Sequence, residues 1–266
     1  MSLLAALPSD EFVSPGTGDF WWPIIPFHSD SPWALTRPAL VMLVSVAVLA
    51  WVYLAGTKNL KLVPSKGQFL LEQSYDFVRN TIARDVIGTK NFKPFLPLLF
   101  TLFTLIFLNN FAGFIPFIQF PSTSRIGIPI VLTLIVYFVY HVAAVRHKGG
   151  FGKYLGSLTP PGLPGWLVPI MWVLEFLTYF FIRPLTLALR LFGNMMAGHL
   201  MLLVFIVGGQ YLLLHVDNFG IKGAGVLSLL FAVVMSFFEL LIQFLQAFIF
   251  TLLAALYIAD AVSDGH

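Results

Sequence analysis

Two arginines, an asparagine and a histidine sit inside an otherwise apolar run, RPLTLALRLFGNMMAGH, at positions 183 to 199. An arginine at the centre of a bilayer costs about 2.5–3.5 kcal/mol on insertion scales, so such a side chain must face water, a partner charge or both. At 100° per residue, Arg183, Thr186, Arg190 and Asn194 fall on one stripe of a helix, whereas His199, nine residues beyond Arg190, points to the opposite side. Further along, Glu239, Gln243 and Gln246 repeat the three-and-four spacing and form a second polar stripe. Past Lys153 the only other charged residues are Glu175, Asp217, Lys222, Asp260 and Asp264. That scarcity gives each ionisable group inside an apolar run the chemistry of an ion or proton pathway.

Plainer roles compete with this chemistry. Arg183 lies nearer the end of its segment and is expected to snorkel to the interface. His199 alone would serve as a packing histidine. Asn194, Gln243 and Gln246 could be interhelical hydrogen-bonding groups, the preferred reading for Gln243. Arg190 has no carboxylate within four residues and apolar neighbours on both sides, which leaves a purely structural role little support. His28, His141, His147, His215 and His266 lie at segment ends or in loops without metal-ligand spacing. There is no phosphate-binding loop, dinucleotide fingerprint or nucleophile elbow, and no cofactor or metal is expected.

The elements that must position these groups are apolar helices. Crossing about 30 Å of hydrocarbon takes roughly 20 apolar residues. Residues 38 to 56, about 96 to 118 and about 128 to 145 meet that requirement as three ordinary spans. Residues 65 to 88 mix Phe69, Leu70, Tyr75, Phe77, Ile82 and Val86 with Glu72, Asp76, Arg79, Arg84 and Asp85, predicting an amphipathic helix near the membrane surface. After the chain-breaking LTPPGLPG, two apolar runs from about 166 to 207 and about 224 to 262 are each about twice the length a span needs. No turn cluster interrupts them. The expected fold is all-α: a polytopic membrane protein with three spans, one amphipathic surface helix and a C-terminal hairpin of two long tilted helices around HVDNFGIKGAG. As one membrane unit it divides into an external segment (1–37), the three spans (38–153) and the hairpin (160–266).

Composition agrees. Of 266 residues, 58% are hydrophobic and 10% charged, well below the charged fraction of soluble domains. The fifteen basic residues gather in short loops, not along a face, so nucleic-acid binding is a poor reading. Zero cysteines exclude disulfides and thiolate metal sites. Lys58, Lys61 and Lys66 follow the first span and Arg146, Lys148 and Lys153 follow the third, while the intervening loop has only Arg125. The positive-inside rule therefore puts the N-terminus outside and the C-terminus in the cytoplasm. The first 36 residues hold Asp10, Glu11, Asp19 and Asp30 but no Lys or Arg, so they lack a signal peptide's basic start.

RPLTLALRLFGNMMAGHL, followed about 40 residues later by ELLIQFLQAFIFTLLAALYI, resembles subunit a of the F-type ATP synthases. The likeness is strong over about the last hundred residues, and the preceding order of spans fits it. The resemblance implies a non-catalytic ion-translocating subunit that forms two offset proton half-channels beside a ring of small c subunits. In that family one arginine on the penultimate helix faces the ring's mid-membrane carboxylates; here it would be Arg190. An acid and an imidazole line the entry path, corresponding to His199 and Glu239; Asn194 and Gln246 match further polar positions. Glu175 matches an acid near the exit, although it lies eight residues before the Arg-Pro pair where the commoner pattern has seven. Implied partners are the c-ring, b-type peripheral stalk subunits, membrane lipid and protons; the implied location is a bacterial cytoplasmic membrane. A self-contained transporter would instead call for inverted repeats and matching broken helices, which the sequence lacks. A passive scaffold would leave Arg190 and Glu239 without a purpose.

Overall fold

The computed structural model describes residues 37–58, 61, 63–113, 123, 125–159, 164–216 and 218–263. The acidic N-terminal segment, His28, Asp217, Asp264, His266 and parts of the loops after the second and third spans lie outside them. Among the described residues every regular element is helical.

Helix α1 (Arg37–Thr57) is the first span. Its apolar side chains are mostly exposed, as suits a helix bathed in lipid. Helix α2 (Lys66–Phe77) starts at Ser65, whose hydroxyl accepts from the Gln68 amide at 3.4 Å. It runs through a π-helical stretch (Val78–Arg84) into the single turn α3 (Asp85–Ile87). This is the amphipathic segment expected at 65 to 88, with one difference of facing. Val78, Ile82 and Ala83 are fully buried, whereas Phe69 and Leu70 are more than half exposed. The extra residue of a π turn rotates the apolar stripe, so the second half of the segment, not the first, packs against its neighbours.

Helix α4 (Leu96–Ala112) begins on Pro97, and α5 (Gly127–Lys148) ends at Gly149 in the left-handed conformation, with Arg146, His147 and Lys148 in the last turn. Those cations complement the helix dipole. A short helix α6 (Phe151–Gly156) follows.

The two long apolar runs each form one continuous helical rod. The first comprises α7 (Val168–Leu177), a π-helical turn (Thr178–Ile182) and α8 (Arg183–Leu214), 47 residues in all. The second is α9 (Phe219–Val262), 44 residues, capped by Asn218, whose side chain accepts from the Gly220 amide at 3.0 Å. At 1.5 Å per residue they extend about 65–70 Å, far too long to stand upright in about 30 Å of hydrocarbon.

Pro184 explains the π turn. It has no N–H, and its ring would collide with a carbonyl four residues back in a regular helix. The Arg183 amide instead reaches Thr178 O, leaving the Tyr179 carbonyl without its usual donor. The Tyr140 hydroxyl on α5 supplies that donor at 2.7 Å.

Packing centres on α9, against which α4, α5 and α8 all lie. Lipid tails are as apolar as leucine, so close contact and interhelical hydrogen bonds hold these helices together. Ala247, Ala254, Ala255 and Ala261 keep the α9 surface low where α4 and α5 approach. At the hairpin tip Gly209 and Gly225 face each other; a Cβ on Gly225 would sit 2.9 Å from Leu213 Cγ and 3.0 Å from Gly209 O.

Candidate functional site

Helices α8 and α9 meet along an antiparallel seam whose polar contacts are spaced at intervals. Near the tip, the Ser228 hydroxyl donates to Phe205 O at 2.8 Å. Next, His199 Nδ1 meets Glu239 Oε1 at 2.5 Å, with both residues buried. Then Asn194 Nδ2 donates to Gln246 Oε1 at 2.7 Å. At the far end Arg183 Nη2 pairs with Asp260 Oδ2 at 2.7 Å. Of the stripe read from the sequence on α8, Arg183 and Asn194 reach α9 while Thr186 and Arg190 do not; the partner of Glu239 is His199, from the other side of the helix.

Gly198 lies against the His199–Glu239 pair. A Cβ at position 198 would stand 3.4 Å from Glu239 Oε1, so the carboxylate lies directly against the α8 backbone. The second carboxylate oxygen of Glu239, both amide atoms of Gln243 and Nε2 of Gln246 are buried without a protein hydrogen-bond partner. These atoms lie on one face of α9, and buried polar groups in such a position are ordinarily satisfied by ordered water. The expectation that Gln243 acts as interhelical glue is corrected here. Its backbone carbonyl accepts from Asn110 Nδ2 at 3.3 Å, while its side chain bonds to nothing among the described residues.

Arg190 lies between the third and fourth of these contacts, and on another face. It is exposed and has no ion pair or hydrogen bond among the described residues. About 13 Å of helix separates it from His199, which is buried on the opposite side. Thr186 and Asn194, of the same stripe, are also exposed. Glu175, on α7, is half-buried and joins neither polar pair.

Arg183 is held within the subunit. Its guanidinium is held by Asp260, lies 3.6 Å over the Tyr179 ring and 5.0 Å from that of Tyr257, and its side chain is only 18% exposed. The Tyr179 hydroxyl also donates to Asp260 Oδ2. Beside this cluster His141 Nδ1 contacts the Tyr154 hydroxyl at 3.0 Å, its ring packed among Tyr137, Tyr140 and Phe180. Outside the spans, burial pushes the Tyr154 phenol up to about 12, so it stays protonated. Sequence reading missed Asp260 and Tyr179 as partners of Arg183; the available signal was that Asp260 is the acid that ends the second long apolar run, opposite the start of α8 in a hairpin.

The family model described as the ATP synthase A chain matches residues 39–259, which include the whole seam up to the residue before Asp260. The chain belongs to the ATP synthase subunit a family. Curated ATP synthase a subunits resemble it over their full length. That of a Nocardioides species is 41% identical, covering 100% of this chain and 98% of the relative. That of Pseudarthrobacter chlorophenolicus is 39% identical, covering 99% and 98%. That of Rhodococcus erythropolis is 36% identical, covering 99% and 95%. For an ATP synthase a subunit, an all-helical fold with, among the described residues, four helices long and apolar enough to cross a membrane is in keeping. The fifth apolar helix, α4, is shorter than the span expected from 96 to 118; the continuation past Gly113 lies outside the described residues.

Proposed function

We propose that this subunit is the stator half of a rotary proton motor, carrying protons through two offset half-channels past a ring of small c subunits. The observation that carries this reading is the placement of Arg190, an exposed cation on the long α8 rod with no ion pair among the described residues. A guanidinium left without a partner inside an apolar segment calls for an acid from another polypeptide. Because arginine does not deprotonate in proteins, Arg190 would attract each ring carboxylate as it loses its proton, yet pass no proton itself.

His199 and Glu239, in direct contact, are suited to relay protons on one side of Arg190, with the unpartnered amides of Gln243 and Gln246 along the same wall. The Asn194–Gln246 bond stands between that relay and Arg190. Glu175 is assigned to the exit side. A proton entering by one half-channel can leave by the other only after the ring has carried it nearly a full turn, so flow and rotation are coupled. The driving force is about 2.3 kcal/mol per charge per 100 mV, hence several protons per ATP. The subunit supplies the ion path and not the phosphoryl chemistry. Its partners are the c-ring and b-type stalk subunits, in a bacterial cytoplasmic membrane with the N-terminus outside.

The chain has no cysteine, so one introduced cysteine reports without ambiguity. Thr186→Cys, on the exposed Arg190 stripe, is expected to form a disulfide with a cysteine placed one turn from the ring carboxylate in the intact complex. A purified complex without a ring of acidic two-helix subunits, or one in which Thr186→Cys never crosslinks to it, would refute the assignment.

A further inference from the structure

One cavity lies outside the seam. Its volume is about 770 Å³, within the roughly 300–1,000 Å³ of small-molecule sites, and it opens between the start of α4, the end of α5 and the last residue of α9, Val262. Its wall is apolar: Phe95, just before α4, and Leu98 in it, with Phe138, Val139 and Val142 from α5. Its rim carries Lys90, Asn91 and Arg146, and no acidic residue lines it. Lys90 and Arg146 have no ion-pair partner among the described residues. The neighbouring Lys148 is engaged elsewhere, its ammonium donating to Ser263 O at 3.1 Å, which fixes the end of α9 that closes the cavity.

Depth follows from helix geometry. Eight residues separate Phe138 from Arg146, so the apolar wall reaches about 12 Å below the cationic rim. Phe138 is 62% and Val142 47% exposed, which places the open side of the cavity toward hydrocarbon. A cationic rim at headgroup level above an apolar slot at acyl-chain level matches one kind of molecule.

We propose that this cavity binds an anionic phospholipid, its phosphate between Lys90 and Arg146 and one acyl chain along Phe138 and Val142. The Asn91 side chain supplies a further donor for phosphate or glycerol oxygens. A zwitterionic lipid fits the slot equally well, but its own ammonium group offsets the attraction of the rim. Free phosphate would gain nothing from the apolar wall.

The test uses the intact complex in nanodiscs containing phosphatidylglycerol or phosphatidylcholine with the same photoactivatable acyl chain. Crosslinks are expected on residues 95–98 and 138–142, at least about fivefold stronger with phosphatidylglycerol, each surface cation contributing roughly fivefold. Crosslinks to the lipid-facing α1 are expected to be equal for the two lipids. Lys90→Gln with Arg146→Gln should abolish the preference at the cavity, and Arg146→Lys should keep it, with assembly checked by subunit composition. Equal labelling by both lipids, labelling outcompeted by inorganic phosphate, or crosslinks from a partner subunit in place of lipid would each overturn the proposal.

Discussion

Arg183 and Asp260 are 77 residues apart in sequence and 2.7 Å apart in space, where they tie the start of α8 to the end of α9. Two helical turns further along α8, Arg190 has no such partner among the described residues. The same residue type thus plays two parts on one helix. One cation is neutralised within the subunit, beside the carbonyl freed by Pro184, and the other stands exposed.

The first prediction concerns that tie. Asp260→Asn leaves a guanidinium that is mostly buried, while Asp260 itself is substantially exposed and its charge is screened. A loss of about 1–2 kcal/mol in stability is therefore expected, less than for a fully buried pair. Thermal release of the subunit from the detergent-solubilised complex measures it. Exchanging the charges, Arg183→Asp with Asp260→Arg, should recover part of the loss; a double variant less stable than either single one would rule out direct pairing.

Glycines at the seam should respond according to what a side chain would meet. At Gly225 an added Cβ approaches Leu213 and the Gly209 backbone at about 3 Å, so Gly225→Ala should cost about 1–3 kcal/mol. At Gly198 the nearest atoms belong to Glu239 at ordinary contact distance. Gly198→Ala should fold normally, whereas Gly198→Val should displace the Glu239 carboxylate and slow proton flow. A stable, fully active Gly225→Ala complex would show that the helices do not close at the tip in this way.

The relay assignment separates two buried neighbours on α9. Glu239→Ala removes the partner of His199, whereas Gln243→Ala removes an amide with no protein partner. Passive proton conduction through the membrane sector after removal of the catalytic head should therefore fall more for Glu239→Ala. Equal rates would remove Glu239 from the path.

The sequence carried the hairpin because uninterrupted apolar length is a one-dimensional signal, and it carried the separation of Arg190 from His199 because 100° per residue is enough to put them on opposite faces. That His199 belongs with Glu239 came from the family resemblance and not from spacing, which set His199 apart from the stripe of Arg190 and Asn194. Where the outcome rested on an individual contact, it was silent. Nothing local marks Asp260 as the partner of Arg183. Nothing near Pro184 announces a π turn or the Tyr140 hydroxyl that completes it. The spacing of Gln243 foretold a buried position but not that its backbone, instead of its amide, would make the interhelical bond. In α2 the apolar stripe was legible, but the π turn that shifts its buried part to Val78 and Ile82 was not.

Arg190→Ala in the intact complex, reconstituted into vesicles and energised by an imposed proton gradient, tests the role of that guanidinium most directly. An unpaired charge in hydrocarbon costs about 2.5–3.5 kcal/mol, so ATP synthesis is expected to fall about 100-fold or more while subunit composition stays unchanged. Synthesis at the wild-type rate, coupled to the gradient, would contradict it.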